Sequence, residues 1–314
     1  MKTLIFTILF LIIIGGAAYI IYENLPGELK NFDFDYNFKT EIPTDISAKS
    51  TITQFVPNMR FNHNELTYSF TPTCTLNDKQ DMKEAFSIIQ TRTEILSFQE
   101  ISNKNNSDIE ITCSEDEFKS SKNIFIAGEG GPTEYYNSTI YPIILKGTIK
   151  LYKPQYETEK CNEPLVELHE LLHVFGFEHY NKTDSIMYPY LSCNQKLNQE
   201  YVEYLKQLYS IKPKAELQFE KITATKSGRY LDFNISVSNL GILDATNVQL
   251  IISSNNEKIK TFELGDIDLA ITKTLTSQNI KLPLRNTENI QFKITTPTEE
   301  YNQENNIIDL EVKE

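Results

Sequence analysis

Three of the chain's four histidines fall in one short run, His169-Glu170-Leu171-Leu172-His173-Val174-Phe175-Gly176-Phe177-Glu178-His179. On an α-helix His169 and His173 share one face, because positions i and i+4 lie one turn apart. Two imidazoles on that face can grip a single metal ion from a rigid support. Glu170, beside the first, can reach a water held on the same ion. Catalytic zinc keeps three protein ligands and leaves its fourth position for water. A nearby carboxylate then takes the proton that the metal has loosened. The chemistry implied is hydrolysis.

The third ligand places a demand on the backbone. A helix turns about 100° per residue, so on a continuous helix His179 would point about 240° away from His173. It can join the site only if the helix stops between them. Gly176 offers the stop, since glycine adopts positive φ at a helix C-terminus without steric cost. A lone His-Glu-x-x-His arises by chance in ordinary helices, and a lone His is more often a satisfied or surface group than a ligand. Three His with Glu and Gly at this spacing are far rarer by accident.

Shortly after His179 comes Ser185-Ile186-Met187-Tyr188-Pro189. His-Glu-x-x-His-x-x-Gly-x-x-His followed by a methionine turn resembles the metzincin peptidases, and in its Met-Tyr-Pro the matrixin branch. The resemblance implies that His169, His173 and His179 hold one catalytic Zn2+ and that Glu170 is the general base. It makes Gly176 the bend and Met187 a hydrophobic floor beneath the metal, with Tyr188 and Pro189 shaping the wall of the specificity pocket. Upstream, Asn64 to Tyr68, Ala85 to Ile101 and Ser107 to Ile111 resemble the first strand, the first helix with the second strand, and the third strand of a matrixin domain. The implied fold is α+β, a mixed twisted sheet plus three helices, covering roughly residues 55–211. A protein or peptide substrate would lie as an added strand along a sheet edge, expected within residues 139–152. There are departures. Leu172 and Tyr180 replace residues usually small in matrixins. Only His63 remains for a second metal site, which predicts no structural zinc and leaves calcium doubtful. Residues 23–60 contain no Cys to plug the zinc.

The elements that must carry this site sit in a chain of 314 residues with net charge −13. That charge argues against nucleic acid or an anionic membrane surface as a partner. Thr3 to Tyr22 is an uncharged apolar run of bilayer length, preceded by Lys2 and followed by Glu23, Glu28, Asp33 and Asp35. We read residues 1–22 as a single-pass anchor in the cell membrane, with everything after Tyr22 outside the cytoplasm. Cleavage near Gly15-Gly16-Ala17-Ala18, giving a secreted protein, is the alternative. Four cysteines suit an oxidising compartment and allow three pairings. The resemblance, in which the first and third strands are neighbours, implies Cys74–Cys113 and hence Cys161–Cys193.

Residues 23–50 read as a polar stalk and 51–211 as the zinc peptidase domain. Within it, Asn77 with Gln80 reads as the N-cap of a helix carrying Met82, Ala85, Phe86 and Ile89. Gly128-Glu129-Gly130-Gly131-Pro132 reads as a loop, and Ile143 to Tyr152 as strand with a turn permitted at Gly147. A helix starting near Asn162 to Pro164 buries Leu165, Leu168, Leu172 and Phe175. Another, Asn198 to Tyr209, buries Tyr201, Val202, Leu205 and Leu208. From 215 to 314, about seven runs of period-two alternation suggest an all-β sandwich. It is Ig-like, and Val237 to Gly241 with Glu304-Asn305-Asn306 resemble CARDB-like adhesion modules, which could meet a surface partner. The function expected is a membrane-anchored extracellular zinc endopeptidase. The alternative is a surface adhesion protein with a silent zinc domain, against which the intact Glu170 argues.

Overall fold

A computed structural model describes residues 2–33, 46, 51–102, 106–114, 119–121, 124–137, 139–152, 161–255, 257–287 and 289–312. The chain divides into two compact units, one formed by Met1–Thr40 with Lys214–Glu314 and the other by Glu41–Pro213. Helix α1 (Lys2–Asn24) opens the first unit. From Leu4 to Asn24 it is long and apolar enough to cross a membrane, and none of it is buried. Strand β1 (Leu29–Asp33) follows. The expectation of a stalk from residue 23 therefore needs correction: Leu29–Asp33 is built into a sheet. Residues 34–45 and 47–50 of that segment lie outside the described residues.

The second unit contains, in chain order, β2 (Glu65–Phe70), α2 (Leu76–Thr93), β3 (Ser97–Glu100), β4 (Ile109–Ser114), the short pair β5 (Lys119–Ser121) and β6 (Ile124–Phe125), β7 (Gly128–Tyr136), β8 (Ile143–Tyr152), α3 (Leu165–Val174) and α4 (Gln199–Ser210). Its main sheet has the order β3-β2-β4-β8-β7. The first four strands run parallel, and β7 is antiparallel to β8 at the edge. Helix α2 buries Met82, Ala85, Phe86 and Ile89. The Phe86 ring lies 4.3 Å from that of Tyr68 on β2 and 4.6 Å from that of Phe98 on β3. Its N-cap is Thr75 rather than Asn77, with Asp78 completing the capping box. Asn77-x-x-Gln80 offered a similar pattern, but Thr75 and Asp78 satisfy two orphan amides at once. Cys74 is joined to Cys113 across a separation of 39 residues. In the loop-entropy account a closure of that length restricts the unfolded chain by about 4 kcal/mol.

The glycine-rich stretch expected as a loop is the first half of strand β7. Its glycines answer to packing. A Cβ on Gly130 would lie 2.8 Å from the carbonyl carbon and 2.9 Å from the Cα of Glu170 on α3. A Cβ on Gly128 would lie 2.7 Å from the Glu170 Cγ. The strand thus rests on the helix backbone, and a side chain of any size would lift it off. Gly147 does not break β8 either. Its missing Cβ makes room for Val174.

At the other side of the unit Arg60 is fully buried. It donates to Leu208 O at 2.5 Å and Ile211 O at 3.0 Å, and its guanidinium lies 4.6 Å over the Tyr209 ring. A cation at a helix C-terminus meets the negative end of the backbone dipoles, so Arg60 fastens the end of α4.

The first unit resumes with β9 (Leu217–Ser227), β10 (Tyr230–Asn239), β11 (Ala245–Ser254), β12 (Glu257–Ile267), β13 (Thr272–Lys281), β14 (Ile290–Thr295) and β15 (Ile307–Val312). The region is all-β, as its alternation requires. Its strands form one antiparallel sheet, β12-β11-β14-β15-β1-β9-β10-β13. Strand β1 is the join: residues 29–31 pair with β9, and Phe32 and Asp33 pair with β15. Residues from both halves share a core, where Phe233 meets Phe292 at 5.2 Å and Phe262 at 5.6 Å between ring centroids. Near the start of β9 two carboxylates are buried. Glu216 accepts from the Asn302 amide and the Asn305 side chain, and Glu300 from Leu217 N–H and the Asn306 side chain. Burial holds both carboxyls above their usual range.

The β7–α3 contact yields a test. Gly130→Ala should destabilise the Glu41–Pro213 unit by about 3 kcal/mol or more, because the obstacle is backbone. Gly131→Ala, whose Cβ meets nothing within 4 Å, should be near neutral. Urea unfolding of the two variants measures the difference.

Candidate metal centre

Helix α3 owes its place to one apolar face. Leu165, Leu168, Leu171, Leu172 and Val174 are buried, and Pro164 stands at the N-cap, where its missing N–H costs nothing. The helix ends in a Schellman turn: Phe177 N–H donates to Leu172 O at 3.2 Å and Gly176 N–H to His173 O at 2.8 Å. Gly176 carries φ +84°, and the Met59 side chain fills the space a Cβ would need. The chain turns back there and brings His179 to the other two histidines.

The three Nε2 atoms form a nearly equilateral triangle. His169 and His173 are 3.1 Å apart, and His179 stands 3.2 Å from each. His169 Nδ1 lies 2.6 Å from Ile186 O, and His173 Nδ1 lies 2.7 Å from Phe177 O. A carbonyl can only accept, so both rings carry their proton on Nδ1 and turn a bare Nε2 lone pair inward. Burial and the neighbouring His169 hold His173 down at about 3. Burial also holds His169 and His179 below the usual histidine range. The bare lone pairs of His169 and His173, 3.1 Å apart, repel unless a cation lies between them. Tetrahedral zinc with bonds of about 2.0–2.1 Å sets its nitrogens about 3.3–3.4 Å apart. The triad fits that ion with little adjustment.

The methionine segment supplies the orientation of the first ligand. Ile186 offers its carbonyl to His169, Tyr180 N–H donates to Met187 O at 2.8 Å, and Ile186 N–H donates to Lys196 O at 3.0 Å. Met187 is fully buried, Tyr188 half-buried and Pro189 exposed. The disulfide Cys161–Cys193 joins the approach to α3 to the chain beyond Pro189. A cleft of about 420 Å³ opens over the histidines, with Val166, Tyr188, Pro189, Tyr190 and Leu191 on its apolar side and Gly128 to Gly130 on the other.

Glu170 faces that cleft and is almost wholly buried. Burial, then the carboxylates of Glu129 and Glu167, push its pKa up to about 8, while the Gly130 N–H donates to it and pulls the other way. A bound dication adds attraction for the charged form. The sheet edge beside the site is β7, not a part of residues 139–152 as the sequence suggested. β8 is interior to the sheet, between β4 and β7.

Some supporting residues carried no sequence signal. Gln54 donates to Phe175 O at 2.7 Å and Met59 O at 2.9 Å, and Phe55 N–H donates to Gly176 O at 2.8 Å. The Phe55 ring lies parallel to that of His173, 6.1 Å between centroids. This strap holds the turn between the second and third histidines, and neither Gln54 nor Phe55 belongs to a motif that would have marked it. The fourth histidine, His63, is engaged with Asn62 at 2.7 Å and Asp108 at 3.2 Å.

Residues 60–210 match the matrixin family model. No curated protein matches the chain. The matrixin match and the histidine triad together support a zinc metallopeptidase.

Elemental analysis of the purified chain should find one zinc ion per molecule. His173→Ala should lose it, whereas His63→Ala should retain it. Zinc retained in full by His173→Ala would exclude the triad as the site.

Proposed function

We propose that this protein is a membrane-anchored endopeptidase acting outside the cytoplasm, with His169, His173 and His179 as its zinc ligands and Glu170 as its general base. The observation that carries this reading is the triangle of Nε2 atoms with Glu170 beside it in an open cleft. Zinc, when bound, acidifies water and polarises a carbonyl. Glu170 takes a proton from the attacking water on its carboxylate and delivers it to the departing amine nitrogen.

Strand β7 positions the substrate. It ends its sheet, and among the described residues its outer edge has no partner strand, so an extended peptide can add there by main-chain hydrogen bonds. Gly128 and Gly130 bring that edge down onto Glu170, which sets the peptide close to the base. Tyr188 and Pro189 shape the apolar pocket beyond the histidines. Helix α1 fits a bilayer in length and carries no burial that would mark it as a core helix, and both disulfides suit an oxidising exterior.

Glu170→Gln tests the mechanism. The variant should bind zinc as the parent does and lose at least about a hundredfold in peptide hydrolysis, the scale of a missing general base. Cleavage of a peptide library at the parental rate by the zinc-loaded variant would overturn the role of Glu170.

A further inference from the structure

The first unit is not hung loosely from its helix. Arg285, in the loop before β14, donates to Tyr22 O at 2.9 Å, to Leu25 O at 2.5 Å and to Pro26 O at 3.4 Å. Its guanidinium lies 4.6 Å over the Tyr22 ring, and its own N–H donates to Glu23 at 3.2 Å. The Ser227 hydroxyl bonds both the N–H and the carbonyl of Gly27, at 3.1 and 2.8 Å, and Tyr230 OH donates to Asn24 O at 3.3 Å. The β9–β10 turn is packed against Gly27 so closely that a Cβ there would lie 2.9 Å from Gly228 N. The last turn of α1 is therefore clamped between that turn and the Arg285 loop.

The clamp fixes depth. The apolar stretch of helix α1 runs 21 residues from Leu4 to Asn24 with Glu23 and Asn24 at its outer end, which at a rise of about 1.5 Å per residue spans about 31 Å, the thickness of a bilayer core. Tyr19 and Tyr22 stand one turn apart near its outer end, where aromatic residues settle at the headgroup level. Whatever is bonded to Tyr22 lies at the same level. Beside it Leu284 is 54% exposed, Leu25 52% and Leu29 68%. Leu284 shares a pocket with Lys30 and Arg285, and Glu23 and Glu28 line the same pocket, so the surface is mixed in charge.

We propose that the Arg285 loop and the β9–β10 turn form a phospholipid-binding surface. Leu284 and Leu25 enter the boundary between headgroups and acyl chains, and the exposed Lys30 faces the phosphates. The β unit then rests on the bilayer and is fixed to it in orientation. This rests on the reading of α1 as a membrane anchor, and the test separates the two.

The chain contains no tryptophan, so single substitutions report position without background. The full-length protein is placed in nanodiscs of phosphatidylcholine carrying brominated acyl chains, which quench indole by contact. Three variants are compared: Tyr19→Trp in α1, Leu284→Trp in the loop, and Leu243→Trp beyond the Asn239–Leu217 end of the β9–β10 ladder, opposite its turn. Tyr19→Trp and Leu284→Trp should lose emission relative to unbrominated discs, while Leu243→Trp keeps it. Quenching of Tyr19→Trp with Leu284→Trp as bright as Leu243→Trp would overturn the lipid-binding surface and leave the anchor standing. An unquenched Tyr19→Trp would remove the anchor and this proposal with it.

Discussion

Nitrogen lone pairs that converge to within hydrogen-bonding distance of each other, with no proton available to share, repel one another. The peptidase unit holds two of them in that position and sets the His179 Nε2 3.2 Å from each. The Ile186 and Phe177 carbonyls each accept an Nδ1–H hydrogen bond, which keeps the His169 and His173 Nε2 atoms bare. The Schellman turn at Gly176 brings the third ring back, and Gln54 bonds the turn from outside. These contacts bear the strain of a site shaped for a cation, so that little reorganisation remains when one arrives.

The second constraint is distance. A catalytic carboxylate and a substrate-binding edge must lie close together, yet strands and helices in a layered fold are normally separated by a layer of side chains. Here that layer is removed at two alternate positions, Gly128 and Gly130, and β7 settles on the Glu170 backbone. Small residues weaken a strand, and β7 is the edge strand, where pairing on one side already suffices. Stability of the sheet is traded for close approach to Glu170.

Much of this was legible in the sequence because it depended on period and spacing. The triad, its bend, and the buried faces of α3 and α4 follow from the 3.6-residue repeat, and the all-β character of the C-terminal region from alternation. What escaped depended on tertiary contact. Glycines in β7 look like a loop because their cause lies on another element. Gln54 and Phe55 carry no motif because the backbone atoms they bind at the turn, Phe175 O and Gly176 O, lie more than a hundred positions away. Strand β1 looks like stalk because half of its pairing is with β9 and half with β15, neither of which is near it in the chain. The cap of α2 was misplaced by two residues, since two overlapping patterns competed and only geometry decides between them.

Strand β1 has a consequence for retention. The sheet receives one strand before the peptidase segment and seven after it, so that segment is an insertion with both ends rooted in the same sheet. A nick between β1 and β2 leaves the peptidase attached through β9, which pairs with β1. A nick between α4 and β9 leaves it attached through β1 and the chain that runs back to α1. Separating the inserted segment from the sheet would take two cuts, and a single stray cleavage in either connection would release nothing.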